Sequence, residues 1–238
     1  MNIFLYDEYT DKYKRKIKKT EEELNKLNLQ GKIIYLKNVK NLKEVLLEEI
    51  NNGAKTIISV GNNLTINNVV NVLANISRNI PIALIPIGPN NSIAESMGVF
   101  NEKDACFILS SRRIENIMLA QANEKYFIEN SFIKNNRSRL YINNSFKILT
   151  NKPGNIFLYN ISPKKYIKKN LVNPKNELIN VYIKTGLKHE THFSSKNLEI
   201  KNEKEILLLD NSTEVALPAK IKISKKAISF IVGKERYF

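Results

Sequence analysis

The sequence predicts an α/β N-terminal domain, Rossmann-like with a mainly parallel sheet, followed by a mostly antiparallel β-sandwich C-terminal domain. Three observations predict it. In the first hundred residues, short apolar runs alternate with segments of helical spacing, the order that a parallel sheet with crossover helices requires. Beyond about residue 104, short β-rich runs follow one another, separated by turns rich in Asn, Pro, Gly and Ser. Charge divides at the same place: residues 1–103 carry 14 Lys and Arg against 11 Asp and Glu, and residues 104–238 carry 24 against 12. The expected domains are 1–103 and 104–238.

Each element has a local reason. Ile3–Tyr6 is a short strand. Between Asp11 and Leu29, Tyr13, Ile17, Leu24 and Leu27 recur at near-helical spacing, and Gly31 stops that helix. Lys32–Leu36 is a second strand. Asn41 caps a helix whose apolar residues are Leu42, Val45, Leu46 and Ile50, ended by Asn52-Gly53. Lys55–Val60 is a third strand, residues 61–65 form a turn, and Ile66–Ile76 is a helix with Val69, Val70 and Leu73 on one face. Ile82–Ile87 is a fourth strand, Gly88–Asn91 a second turn, and Ser92–Met97 a short helix ended by Gly98.

In the second half, strands are expected at Cys106–Leu109, Ile114–Leu119, Tyr126–Phe132, Leu140–Ile142, Ile156–Tyr159, Leu178–Lys184, Leu198–Ile200, Ile206–Leu209, Ala219–Ile223 and Ala227–Val232. Ser162–Pro174 is the most helical or loop-like stretch.

With 42% hydrophobic and 26% charged residues, the composition is that of a globular protein. The longest apolar run, Ile80 to Ile87, is broken by Pro81 and Pro86 and is far short of the ~20 residues of a membrane span. Met1–Asp7 turns acidic at once, which argues against a signal peptide. One cysteine, Cys106, forms no internal disulfide, and two histidines leave little for a zinc site. A cytoplasmic protein is expected. The formal charge of +15 favours anionic partners or reflects the bias toward Asn, Lys and Ile. Lys164, Lys165, Lys168 and Lys169 flank Tyr166 and Ile167, a pattern that fits an exposed loop or contact with a membrane surface or polyanion. His189 and His192 are read in a loop between strands, without metal-site spacing. Cys106 is read as a small core residue.

Gly61 and Gly88 both fall at strand ends, where open α/β sheets bind ligands. A glycine there, followed by small polar residues and a helix, can present backbone N–H groups to a phosphate. Each turn alone reads more simply as a strand-to-helix connection with an N-cap. No GxxxxGK[ST] or GxGxxG pattern is present.

Taken together, the two turns carry a resemblance. Gly53-Ala-Lys-Thr-Ile-Ile-Ser-Val-Gly-Asn-Asn-Leu-Thr, followed by Ile82-Ala-Leu-Ile-Pro-Ile-Gly-Pro-Asn-Asn-Ser-Ile-Ala-Glu-Ser-Met-Gly98, resembles the diacylglycerol kinase catalytic-domain family, which includes bacterial lipid kinases and is related in fold to NAD kinases. That family carries Gly-Gly-Asp-Gly-Thr after a strand, an early Glu in the next helix, and then Pro-x-Gly-Thr-x-Asn-Asp-x-Ala. Gly61, Thr65, Pro86, Gly88 and Ala94 match. Asp210–Pro218 and the apolar strand after it look like the family's late Asp-Gly-Glu segment with its closing strands.

The resemblance implies the NAD kinase/diacylglycerol kinase-like fold, a cleft between the domains, and ATP-dependent phosphorylation of a lipid hydroxyl. It implies nucleotide contacts at Gly61, Asn62, Asn63, Thr65, Asn67, Gly88, Pro89, Asn90 and Asn91, with Asp210 and Glu214 assisting as base. The departures point the other way. Asn62, Asn63 and Leu64 replace Gly, Asp and Gly. Asn68 stands at the early Glu. Pro89 replaces Thr, the family's Asn-Asp pair falls near Asn91-Ser92, and Asn211 and Ser212 replace the late Gly and Glu. Amides hold Mg²⁺ poorly and cannot act as general bases near neutral pH. ATP binding is therefore expected to be weak, with Mg²⁺ and catalysis in doubt. The alternative is a non-catalytic relative that binds a nucleotide, a lipid or a partner. An anionic membrane surface at the inner face of the membrane is a compatible partner, as is a second copy in a homodimer. Nucleic acid is disfavoured, because no recognition motif accompanies the charge.

Overall fold

The computed structural model describes residues 1–7, 12–76, 78–135, 137–143, 145–150, 152–161, 177–186 and 189–238. The expected loop at 162–174, with its basic pairs Lys164-Lys165 and Lys168-Lys169, lies outside the described residues. The chain divides into two compact units, Met1–Ile117 with Ala227–Arg236, and Met118–Lys226 with Tyr237–Phe238. Residues 104–117 and 227–236 thus pack with the first unit.

In the first unit, β1 (Asn2–Tyr6), β2 (Gly31–Tyr35), β3 (Thr56–Gly61) and β4 (Ile82–Pro86) lie in the order β2-β1-β3-β4. All pair in parallel, with Phe4 opposite Ile33 and Ile58, and Ile58 opposite Ala83. Every residue of β3 and β4 is buried. This explains their unbroken apolar sequences, since a parallel sheet covered on both faces has no polar side. The edge strand β2 leaves Ile33 and Tyr35 exposed. The helices are α1 (Lys14–Lys26), α2 (Leu42–Asn51), α3 (Asn63–Leu73), α4 (Ser92–Ser96) and α5 (Glu102–Ser111). Asn41 caps α2 as expected, its side chain accepting from the N–H groups of Lys43 and Glu44.

Two readings of this unit change. The stretch Cys106–Leu109, expected as a strand, lies inside α5. Asn101 caps that helix through the Asp104 N–H, and Ala105, Cys106 and Leu109 form its buried face while Phe107 is exposed. Residues 63–65, expected as turn, are already the first turn of α3.

The chain enters the second unit along β5 (Ile114–Ala122) and leaves it along β16 (Ala219–Ile231), with β6 to β15 between. These are β6 (Lys125–Phe127), β7 (Asn130–Asn135), β8 (Arg139–Ile142), β9 (Phe146–Leu149), β10 (Gly154–Tyr159), β11 (Ile179–Thr185), β12 (His189–Ser195), β13 (Asn197–Lys201), β14 (Ile206–Leu209) and β15 (Thr213–Ala216). One antiparallel sheet runs β12-β11-β10-β7-β14-β15. In the other layer β13 pairs with β8 and with the first part of β16, and β8 pairs with β9. Alternate residues of both layers, among them Ile133, Ile156, Leu158, Val181, Leu140, Ile200 and Ile221, form one core.

The expected strand Tyr126–Phe132 is two strands, because the chain turns at Ile128 and Glu129. The expected pair Ala219–Ile223 and Ala227–Val232 is one strand: Lys225 and Lys226 are solvent-facing positions within it, not a break. His189 and His192 lie on strand β12 and not in a loop. Three residues apart on a strand, they point to opposite faces and cannot share a metal.

Candidate functional site

Both glycine turns belong to the first unit. Gly61 ends β3 opposite Pro86 of β4, and the Ile87 N–H donates to the Gly61 carbonyl at 2.9 Å. Glycine is required at 61: a Cβ there would lie 2.4 Å from Thr65 Oγ1 and 3.0 Å from Asp7 Cβ. Gly88 adopts φ +86°, the left-handed region that favours glycine, with the Tyr13 ring over it.

The first turn of α3 is knitted to the second glycine turn. Asn63 is fully buried; its N–H donates to the Asn90 carbonyl at 2.9 Å, and its side-chain amide donates to Ser92 Oγ at 3.0 Å. Asn63 Oδ1 in turn accepts from the Ile93 N–H at 3.2 Å. Asn62 is the N-cap, its Oδ1 accepting from the Leu64 N–H at 3.0 Å. The N–H groups of Asn63 and Leu64, two donors that a helix N-terminus can offer to an anion, therefore have partners within the protein. Leu64 projects its side chain outward at 39% exposure.

The remaining positions fall around this frame. Thr65 is buried and its hydroxyl donates to the Asp7 carboxylate. Asn67 is buried in α3, whereas Asn68 is exposed. Pro89 and Asn90 are exposed, and Asn91 donates to the Gly88 carbonyl at 2.6 Å while its Oδ1 is buried without a hydrogen-bond partner. Sequence reasoning missed Asp7 as a site residue. Its signal was an acid directly after the carboxyl end of a parallel strand, the side on which such sheets bind ligands.

Asp210 and Glu214 lie in the second unit. Asp210 and Asn211 both have positive φ, 46° and 55°, and the Ser212 N–H donates to the Leu209 carbonyl, a type I′ hairpin turn between β14 and β15. The Asp210 side chain is fully buried. Its Oδ2 accepts from the Ile128 N–H, and its Oδ1 accepts from the N–H groups of Glu129 and Asn130, all at 2.8 Å. Ser212 Oγ folds back on the Leu209 carbonyl at 3.3 Å. Glu214 is exposed on β15, opposite Leu208. Glu129, a buried carboxylate on the turn that Asp210 holds, was also missed. Among the described residues no group of three or more His, Cys, Asp or Glu side chains converges as a metal site.

A family profile for the diacylglycerol kinase catalytic domain matches residues 4–122. Among solved structures, a diacylglycerol kinase from Bacillus anthracis str. Sterne is similar, with a TM-score of 0.72 and 14% identity over 98% of this chain and 96% of that one. An NAD kinase from Archaeoglobus fulgidus, solved in complex with ATP, is similar with a TM-score of 0.62 and 14% identity over 100% of this chain and 96% of that one. A search of curated protein sequences returns no match. The match spans both glycine turns, and the fold is that of diacylglycerol and NAD kinases; this chain belongs to the diacylglycerol kinase catalytic-domain family.

Proposed function

We propose that this chain is a lipid-kinase relative in which ATP-dependent phosphorylation of a lipid hydroxyl is lost or strongly weakened, and in which the turn frame serves to bind a nucleotide or lipid. One observation carries the reading: Asn63, at the family's Asp position, is a buried amide committed to Ser92 and Ile93. Phosphoryl transfer depends on a metal-neutralised triphosphate and an oriented, deprotonated hydroxyl. The donor set here does not fit a Mg²⁺-bound triphosphate. Amide oxygens stand where the family has a carboxylate, and both Asn62 Oδ1 and Asn63 Oδ1 already accept backbone N–H groups. The base position offers no substitute, since Ser212 has no carboxylate and Asp210 already accepts three N–H groups. ATP binding is accordingly weak and nearly independent of Mg²⁺. The partners that suit this reading are a lipid or an anionic membrane surface, with peripheral attachment; no helix among the described residues is long and apolar enough to cross a membrane.

The test restores the family's groups together: Asn62→Gly, Asn63→Asp, Leu64→Gly and Ser212→Glu. Phosphorylation of diacylglycerol in mixed micelles should rise by ~10²–10⁴-fold, the scale of a restored general base. Natural protein turning over at ~1–100 s⁻¹, as kinases do, overturns the proposal. Asp7 supports a second reading, because it places a carboxylate beside the first turn. Should the natural protein turn over lipid and Asp7→Asn abolish that turnover, Asp7 supplies the anion that Asn63 lacks.

A further inference from the structure

The excess positive charge of residues 104–238 is not used by either family turn, and part of it converges at one place. Arg137, Arg139, Lys201 and Lys204 line an open cavity of about 660 Å³ in the second unit, together with Asn202 and Glu203. That volume is in the range of small-molecule sites. The cavity lies at the end of the β-sandwich away from the Asp210 turn. Strand β7 spans the two ends: Ser131 pairs with Leu209 beside Asp210, and Asn135 pairs with Gly154 at the cavity end. At ~3.4 Å per residue, the four steps from Ser131 to Asn135 separate them by roughly 14 Å.

The four cations share this cavity despite their mutual repulsion. Arg139 and Lys201 are direct cross-strand partners in the β8–β13 pair. Like charges directly opposite destabilise a sheet unless a counter-charge sits between them. Among the described residues, no carboxylate is within ion-pair distance of Arg137, Arg139 or Lys204. Lys201 has only Glu199, at 3.5 Å, and its ammonium lies 4.9 Å from the centre of the Tyr141 ring.

The loops that carry these cations are tied together. Asn202 Oδ1 accepts from the N–H groups of Lys204 and Glu205, and its amide donates to Ser138 Oγ at 3.0 Å. The Ser138 carbonyl accepts from the Thr150 hydroxyl at 2.9 Å. The turns before β8, after β9 and after β13 are thus fixed to one another. Arg137 is held at φ 63° in the first of them.

We infer that this cavity is a binding site for a phosphate group, carried either by a small soluble anion or by a lipid headgroup. Two guanidinium forks and two ammonium groups on a fixed frame suit the several oxygens of a phosphate, and Arg forks bind them in pairs. The inference does not rest on the lipid-kinase reading, whose residues lie elsewhere.

The experiment uses the full chain at low salt, with inorganic pyrophosphate in calorimetry and thermal melts, and with vesicles of phosphatidylcholine with or without phosphatidic acid. The site variant is Arg139→Gln with Lys201→Gln. The control is Lys43→Gln with Lys55→Gln, an equal charge change on exposed residues of the first unit. Pyrophosphate should raise the melting temperature of the natural chain and of the control, and the site variant should lose at least 10-fold in affinity. Without ligand the site variant should melt close to the natural chain, because the repulsive pair removed is offset by the lost Lys201 contacts with Glu199 and Tyr141. Binding to phosphatidic acid vesicles but not to pyrophosphate, with the same loss in the site variant, assigns the headgroup as the source. Equal affinity in natural and site-variant proteins, equal losses in site and control variants, or no binding of either probe overturns the inference.

Discussion

The two turns at which the family places its acids are built on different terms in this chain. At the start of α3 the family's Asp is Asn63, yet the position is fully buried and ties two turns through side-chain hydrogen bonds that include the Ile93 N–H and the Ser92 hydroxyl. At the β14–β15 turn the family's Glu gives way to Ser212 but its Asp is kept, and Asp210 takes three backbone N–H groups at once. An amide can replace a carboxylate where its partners are one N–H and one hydroxyl, because it offers both an acceptor and a donor. It cannot do so where three donors converge on two oxygens. Of the two motif positions, the acid is kept where the architecture requires negative charge and is absent where an amide serves the architecture equally well.

The largest effect should come from breaking the second turn. Asp210→Ala leaves three buried N–H groups without an acceptor and should cost about 3–5 kcal/mol in urea unfolding. Asp210→Asn sharpens the contrast: it keeps one acceptor oxygen and turns an NH₂ group toward a backbone donor. It should cost about 1–3 kcal/mol; stability equal to the natural chain would show that charge is not needed there.

Breaking the first turn should cost less. Asn63→Leu removes the bonds to Ser92 and Ile93 and should lower stability by about 2–3 kcal/mol, whereas no loss would mean that the buried amide ties nothing. Smaller again is Asn62→Gly. The cap should weaken by only a few tenths of a kcal/mol, while the Leu64 N–H becomes available to an anion. ATP affinity in calorimetry should rise by roughly 2–10-fold, the worth of one hydrogen bond. Unchanged affinity would remove Asn62 from the explanation.

The smallest effect concerns Cys106, whose thiol is pushed up to about 11, first by burial and then by the nearby Glu23 charge. A thiol that titrates near 9 when unfolded and near 11 when folded favours the native state fully below pH 9, and that contribution fades as pH rises from 9 to 11. Cys106 should accordingly resist alkylation at pH 8 in the folded chain and react freely in urea. Rapid alkylation of folded protein would overturn the burial argument.

Much of the first unit was legible because its signals are local. Unbroken runs such as Ile82-Ala-Leu-Ile mark strands buried on both faces, and Asn41 reads as a cap from sequence alone. The Cys106-Phe-Ile-Leu run misled because four apolar residues fit either period; the deciding signals were Asn101 with Asp104 at the cap, and the helical spacing of Ala105 and Leu109. In the second unit β9, β12 and β15 escaped notice. Polar residues such as His189 and Glu214 leave β12 and β15 poor in alternating apolar positions, β9 is only four residues long, and the pairing of β12 with β11 joins it to a neighbour that the sequence does not mark as its partner. The glycine turns were legible through spacing. What Asn63 and Asp210 do was not, because each role is defined by backbone donors that only the folded chain brings to the side chain.

The path of β5 and β16 sets an order on synthesis. The first unit needs residues 227–236: Phe230 pairs with Ile82, the Val232 N–H donates to the Arg113 carbonyl, and the Gly233 N–H donates to the Met97 carbonyl. A ribosome adding ~5–20 residues per second makes residues 118–226 before it supplies them. For roughly 5–20 s the nascent first unit holds its apolar β4 edge without the strand that covers it, the interval in which a growing chain is most open to capture by a chaperone.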